Sequence, residues 1–277
     1  MKGLIVTADD FGAAIEVNDA VEDAYRNGIL TCASLMVAGS AAYDAVERAK
    51  RMPSLRVGLH LTLLEGNPVL PPSEIPELLG TDGQFRTDMK RLSLATFTRP
   101  SVRQQMSAEI AAQFEAFRTT GLPLDHVNAH KHFHLHPTIA GLILRVGRSY
   151  GVRGLRVPYE PRNVLRRAAP GETVDFALDT LPWSILLRKR AHRAGMLVPD
   201  CVFGLRWSGA MTRARLSGLI EHLPDGLSEI YLHPATSPYT GSASGYCYGA
   251  ELDALCDEGI RAQVQRLSIR RGGMRAR

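Results

Sequence analysis

Cysteine is scarce in this chain. The four residues Cys32, Cys201, Cys247 and Cys256 are dispersed through 277 positions and form no C-x-x-C pair. That spacing excludes a zinc ribbon or a dithiol redox motif and fits a reducing compartment, so a cytoplasmic protein is expected. Long apolar runs are also missing. The stretch Met1-Lys2-Gly3-Leu4-Ile5-Val6 gives way at once to Thr7-Ala8-Asp9-Asp10, too short an apolar core for a signal peptide, and no segment reaches membrane-spanning length. Aromatic residues, 6% of the chain, are not interleaved with its basic clusters. The stacking platform of a single-strand binder is therefore absent, and nucleic acid is not expected as a partner. No internal repeat and no linker of interdomain composition is visible.

What is present is ordinary globular material, 45% hydrophobic and 22% charged. It is enough for a core that needs neither disulfides nor metal to hold it together. The length suits one large α/β domain, read here as residues 1–268 followed by a basic tail, 269–277. The net charge of +5 gathers in Arg162, Arg166 and Arg167, in Arg188-Lys189-Arg190, and in that tail. A solvated basic surface and a surface that meets anionic lipid both account for it.

One stretch stands out: His126-Val127-Asn128-Ala129-His130-Lys131-His132-Phe133-His134-Leu135-His136, with five of the nine histidines of the chain. Residues two apart share a strand face and residues four apart a helix face, so on either reading imidazoles converge. Neutral imidazole is a common metal ligand, and a metal site usually adds a carboxylate from elsewhere in the chain.

Taken in order, Gly3 to Ala8 reads as a strand covered on both faces, ending in Asp9-Asp10-Phe11-Gly12. Paired carboxylates at the end of a buried strand are costly without a compensating ligand. Ile15 to Gly28 has helical spacing with a glycine at its end. Leu30–Val37 reads as a strand, Ala41–Met52 as a helix, and Leu55–Leu63 as a strand that carries His60. The Pro- and Gly-rich stretch 65–85 is a loop or lid. A helix over Ser101–Thr119 leads to the strand Leu124–Asn128, which delivers the histidines. A helix over Thr138–Tyr150, a fifth strand over Gly154–Pro158, poorer periodicity over 162–207 and a strand over Leu227–Pro234 that delivers His233 complete the pattern. Strand, polar residue, helix recurs throughout, and no Gly-rich dinucleotide turn follows the first strand. A partly closed parallel (β/α) barrel with outer helices is predicted, with Asp9, Asp10, His60, His130 and His233 converging at the strand C-termini.

Four motifs, Ala8-Asp9-Asp10-Phe11-Gly12, Gly58-Leu59-His60-Leu61, His126 to His134 and Ile230-Tyr231-Leu232-His233-Pro234, occur in an order that resembles the YdjC-like carbohydrate deacetylases over most of the chain. Within that family the similarity is greatest to the deacetylases associated with hopanoid biosynthesis. The resemblance implies an incomplete (β/α) barrel of the polysaccharide-deacetylase type that acts on an N-acetylated amino sugar. It implies Asp10, His60 and His130 as ligands of one divalent metal, Asp9 as general base and His233 as general acid. Lys131 departs from the family pattern, in which a further histidine is expected. The hopanoid likeness implies an N-acetylglucosaminyl lipid as substrate; a soluble N-acetyl-oligosaccharide is the alternative.

Mixed imidazole and carboxylate ligation points first to zinc, with magnesium or another divalent ion open. His132 and His134 are candidates for orienting ligands or meeting substrate hydroxyls. Arg156, near a strand end, is a candidate for sugar contacts or for orienting Asp9. The apolar Leu181-Pro182-Trp183-Ser184-Ile185-Leu186-Leu187 beside Arg188-Lys189-Arg190 suits peripheral contact with a membrane or a core helix with a basic end; a homodimer stays open. The rivals are a metal-dependent phosphoesterase, with Arg153, Arg156 and Lys131 on phosphate, and a non-catalytic metal- or sugar-binding barrel.

Overall fold

The computed structural model describes residues 1–173 and 180–274. In chain order its elements are β1 (Lys2–Phe11), α1 (Ile15–Asn27), β2 (Cys32–Leu35), α2 (Ala42–Lys50), β3 (Arg56–Leu61), α3 (Met89–Thr98), α4 (Pro100–Thr119), β4 (Leu124–Ala129), α5 (Pro137–Ser149), α6 (Arg162–Ala168), α7 (Leu181–Arg193), β5 (Cys201–Phe203), α8 (Arg213–Glu221), β6 (Gly226–Leu232), α9 (Tyr248–Cys256), α10 (Glu258–Arg266) and β7 (Arg270–Arg271). The strands form one sheet in the order β4-β3-β2-β1-β6-β5, with β7 also on β1, and every pairing between them is parallel.

The two edges of this sheet are drawn together by residues 153–159. Arg156 donates its backbone N–H to Val127 O of β4, and Tyr159 O accepts from Val202 N of β5. The segment expected as a fifth strand therefore closes the barrel through isolated bridges only. Pro158 has no N–H to give a ladder. The result is the partly closed parallel α/β barrel that the strand–helix alternation predicts.

Apolar side chains of the strands and the inner helix faces, among them Leu4, Val6, Leu35, Leu59, Phe114, Phe117 and Ile230, make one continuous core. The barrel interior is different. Thr7, Asp9, Ser34, His60, His126, Asn128, Arg156 and Glu229 are all buried, and most are joined by hydrogen bonds.

Three expectations need correction. The chain enters α3 before α4, with Asp88 capping Arg91 N, and α6 and β5 lie within the stretch of poor periodicity. Residues 269–274 are no free tail: Arg270 and Arg271 pair with Gly3 and Leu4, Met274 is buried, and its N–H donates to Asp125 Oδ2 at 3.0 Å. The remaining tail residues, 275–277, lie outside the described residues. Finally, the 65–85 loop is anchored. Buried Glu109 of α4 accepts from Val69 and Leu70 N–H, Gln113 accepts from Thr62 N–H, and Ile75, Leu78 and Phe85 join the core.

Candidate metal-binding active site

Consecutive residues of a strand point to opposite faces, yet Asp9 and Asp10 serve the same site. The reason is local. The pairing of β1 with β2 shifts register between Ala8 and Phe11, and Asp10 has φ of 62°. A bulge of this kind re-aims a side chain at the rim of a barrel. A left-handed non-glycine residue also carries strain that persists only where its surroundings hold it. Gly12, at φ 92°, completes the turn. A Cβ there would meet Leu35 Cδ1 and Met36 O at 3.1 Å. Buried Asn18 of α1 secures it by accepting from Gly12 N at 2.8 Å and donating to Ala41 O.

The histidine run is neither strand nor helix. β4 ends at Ala129, and residues 130–135 form an irregular 3-10 turn in which Lys131 (φ 52°) and His132 (φ 54°) are left-handed. This fans the imidazoles apart. His130 turns to Asp10, whereas His132 meets Tyr231 Oη at 2.7 Å and His134 donates to the backbone oxygen of Arg156 at 3.1 Å. Lys131 pairs with Glu65 and so ties the turn to the anchored loop.

Asp10, His60 and His130 do come together. Asp10 Oδ1 lies 3.2 Å from His60 Nε2 and 3.2 Å from His130 Nδ1, and one ligating atom from each residue falls within 4.8 Å of the others. His60 Nε2 is buried and finds no hydrogen-bond partner among the described residues. An orphaned imidazole nitrogen, a second imidazole and a carboxylate oxygen around one point are the donor set that a divalent cation takes, with coordination positions left over. The Asp10 carboxyl is held well below the usual carboxylate range: burial would raise it, but His130 and His60 outweigh burial.

Asp9 lies beside this group, its Oδ1 4.0 Å from His60 Nδ1. Fully buried Arg156 grips it through both oxygens, at 2.5 and 2.9 Å, and also binds Glu229 Oε1 at 2.8 Å. Burial alone would raise the Asp9 pKa, yet the Arg156 charge and then His60 keep it far below its ordinary value, so Asp9 is an anion at any working pH. Asn128 and Tyr231 pack against the same guanidinium, the Tyr231 ring 4.5 Å from it. His233 stands at the end of β6 between the Tyr231 and Tyr246 rings, 5.8 and 5.2 Å away. Its backbone N–H donates to buried Glu251, and its Nδ1 has no partner among the described residues.

Two residues expected at the substrate are placed otherwise. Arg156 and His134 are each 0% exposed. All the guanidinium contacts of Arg156 are with the protein interior, which suits the orienting of Asp9 and not a sugar contact. Burial, then the Arg156 charge, brings the His134 pKa down to about 3, a neutral packing group. His132 is half-buried and also held neutral, first by burial. The same burial of Arg156, with the pairing of Lys131 to Glu65, removes two of the three cations that a phosphoesterase reading needs.

Glu229, Ser34, Asn128 and Glu251 escaped the sequence reading. Their one signal is a polar residue inside an otherwise apolar strand or helix face, which is costly to bury unless paired.

A match to the YdjC-like protein family model covers residues 3–266. The chain is 30% identical over 264 residues to a carbohydrate deacetylase of Geobacillus stearothermophilus, covering 94% of this chain and 91% of that protein. It is 35% identical over 252 residues to a carbohydrate deacetylase of Mus musculus, covering 83% and 77%. With a carbohydrate deacetylase of Brevibacillus brevis the identity is 38%, but the match spans only 54% of this chain and 57% of that protein. A crystal structure from Enterococcus faecalis, of a protein described as acting in cellobiose-phosphate cleavage, superposes with a TM-score of 0.76 at 23% identity over 98% of this chain and 97% of that one, and so shares the fold. With the Asp-Asp turn, the histidine fan and the partly closed parallel barrel in their places, the chain belongs to the YdjC-like protein family.

Proposed function

We propose that the protein is a metal-dependent carbohydrate N-deacetylase that removes the acetyl group from an N-acetylated amino sugar. The observation that carries this reading is the meeting of Asp10, His60 and His130 around one point with the anion of Asp9 alongside. Carbohydrate deacetylases among the relatives support the reaction class. Asp10, His60 and His130 would hold the cation, zinc first, with magnesium or another divalent ion as the alternative. When bound, such a cation supplies Lewis acidity toward the acetyl carbonyl and acidifies water.

The remaining steps fall to the chain's own side chains. Asp9, fixed by Arg156 and kept ionised, takes the proton of the attacking water. His233, set between Tyr231 and Tyr246 at the end of a different strand, gives a proton to the sugar nitrogen as the C–N bond breaks. Without that proton the amine leaves poorly. His132, half-buried against Tyr231 Oη, is the histidine we assign to substrate hydroxyls.

The substrate we favour is an N-acetylglucosaminyl hopanoid, a sugar on an apolar tail. A cavity of about 730 Å³, lined by Tyr159, Leu165, Leu181 and Ile185 together with Arg188 and Arg206, offers an apolar surface for such a tail, and Asp9, Asp10, His60, His130 and His233 are not part of its wall. On the same α7, Trp183 and Ile185 are 45% and 48% exposed beside the cations, which suits contact with the inner face of a membrane. Among the described residues no helix is long and apolar enough to cross one.

Zinc-loaded protein incubated with N-acetylglucosaminyl hopanoid is expected to yield a product lighter by one acetyl group in mass spectra, with equimolar acetate. Acetate from chitooligosaccharides and none from the lipid would transfer the activity to soluble sugars; acetate from neither would sink the deacetylase reading. Asp9→Asn should retain its metal while turnover falls by roughly 10²-fold or more, the scale of general acid–base catalysis.

A further inference from the structure

Beneath the proposed metal site runs a buried chain of hydrogen bonds that the reaction itself does not use. Asp125 Oδ2 lies 3.1 Å from His126 Nδ1, and His126 Nε2 lies 3.1 Å from Ser34 Oγ. Ser34 Oγ is 2.9 Å from the Asn128 amide, which in turn is 2.7 Å from His60 Nδ1. His126, Ser34 and Asn128 are 0% exposed, and Asp125 and His60 are 2% exposed. The path crosses β4, β2 and β3, and the sheet makes room for it. Gly58, paired with Ser34 in register, leaves space for the His126 ring, since a Cβ there would fall 2.4 Å from Nε2.

The Asn128 amide can take two orientations in its pocket, related by a half-turn. In one, its NH₂ donates to Ser34 Oγ and to Asp9 Oδ1 (3.3 Å), and its carbonyl accepts the Nδ1–H of His60. In this first orientation the NH₂ also stands 2.9 and 3.1 Å from the Arg156 Nη1 and Nη2 donors. His60 then turns a bare Nε2 lone pair toward Asp10 and His130. In the other, the carbonyl accepts from Arg156 Nη1 (2.9 Å), Arg156 Nη2 (3.1 Å) and Ser34 Oγ, and the NH₂ donates to His60 Nδ1. A neutral His60 must then carry its hydrogen on Nε2, where it occupies the place a cation needs. Counted on protein partners alone, the second orientation satisfies more groups. Metal binding requires the first.

The hydroxyl of Ser34 has one hydrogen, and its direction decides between the two. If it goes to His126 Nε2, the Ser34 oxygen is left to accept from the Asn128 NH₂. If it goes to Asn128, the amide turns over. Asp125 settles the choice: a carboxylate that accepts the Nδ1–H of His126 leaves a neutral ring with its lone pair at Nε2, and that lone pair claims the Ser34 hydrogen.

We propose that Asp125, His126 and Ser34 form a directional hydrogen-bond relay that holds the Asn128 amide against the pull of Arg156 and so keeps His60 in its metal-accepting tautomer. These are positioning residues, and none of them is among the ligands Asp10, His60 and His130 proposed above. The inference rests on His60 being a ligand, as read above. It adds that the ligand's tautomer is set from 125 and 126, on the far side of the Asn128 amide.

The test is the Zn²⁺ dissociation constant, by chelator competition, in a double-mutant cycle. Ser34→Ala should weaken Zn²⁺ binding by about 10–100-fold, the range seen when residues that orient a metal-bound histidine are lost. In an Asn128→Asp background the side chain accepts on both sides and has no orientation to choose, so adding Ser34→Ala should change affinity by less than about 2-fold, a coupling that only contact through Asn128 produces. Equal losses in the two backgrounds would mean that Ser34 merely fills space, and would overturn the relay.

A measurement on the unaltered protein covers the case in which Asn128→Asp fails to fold. ¹⁵N spectra of the zinc-loaded protein should show His126 as the neutral Nδ1–H tautomer; an Nε2–H tautomer overturns the proposal. Asp10→Asn and His60→Ala separate the two levels of inference. If neither weakens Zn²⁺ binding, the metal site itself is wrong. If both do and Ser34→Ala does not, only the relay falls.

Discussion

Replacing Arg156 by methionine tests the electrostatics of the barrel interior. The guanidinium is fully buried and compensates two carboxylates, Asp9 at 2.5 and 2.9 Å and Glu229 at 2.8 and 3.0 Å, in a space that holds no other arginine or lysine among the described buried side chains. Methionine keeps much of the volume and removes the charge. Two buried anions then lose the guanidinium that compensates them, a change that costs about 3–5 kcal/mol for a broken buried pair. For a chain of this size, at roughly 2–4 °C per kcal/mol, the melting temperature should fall by roughly 10 °C. Thermal and urea unfolding measure the loss. The same experiment on Arg156→Met/Glu229→Gln separates charge from packing. Glutamine keeps the oxygen that accepts from Thr7 Oγ1 while removing one stranded charge, so the double variant should regain a substantial part of the lost stability. A single variant that loses less than about 1 kcal/mol, or a double variant no better than the single, would refute the view that Arg156 is held for its charge.

Three further outcomes are expected. Gly58→Ala should destabilise by about 1–3 kcal/mol through overpacking, since its Cβ would fall 2.4 Å from the His126 ring; urea unfolding at the wild-type level would show that the ring has room to move. Glu160 accepts three backbone N–H groups at 2.9–3.1 Å, and burial pushes its carboxyl up to about 7. A raised folded-state pKa contributes stability that is complete below the unfolded value near 4.5 and is lost as pH rises through about 7. Wild-type melting temperature should therefore fall between pH 5 and 8 relative to Glu160→Gln, and parallel profiles would contradict this. Glu109→Ala removes the acceptor of the part-buried Val69 and Leu70 N–H groups, at about 0.5–1.5 kcal/mol for each hydrogen bond lost, so limited proteolysis should open the 65–85 loop first; an unchanged cleavage pattern would show that the loop is held by its apolar contacts alone.

The chain's order of strands and helices was legible because apolar runs and helical spacing follow directly from which faces must be buried. So was the meeting of Asp10 with His60 and His130, since parallel barrels bring strand C-termini together whatever their loops do. Where local pattern and tertiary demand diverge, the sequence was silent. Residues 154–158 have the composition of a strand but close the barrel by isolated bridges. Residues 270–274 have the composition of a solvated tail, yet they pair with β1 and bury Met274 beneath Asp125. Residues 65–85 read as a loop or lid, and the sequence did not say that the loop is anchored, because the groups that pin it, Glu109 and Gln113, sit on a helix far along the chain.

Sequence by itself determined the types and order of the chemistry-bearing groups: two adjacent carboxylates after the first strand, a histidine in the third, a histidine cluster after the fourth and another histidine after the sixth. Only the tertiary structure decided their directions. The bulge that brings Asp9 and Asp10 to the same histidine, the left-handed turn that sends His130 to Asp10 and His134 into the core, and the pairing of Arg156 with Asp9 each depend on neighbours distant in sequence. Backbone torsions of this kind cost energy locally and exist only because packing from other strands holds them.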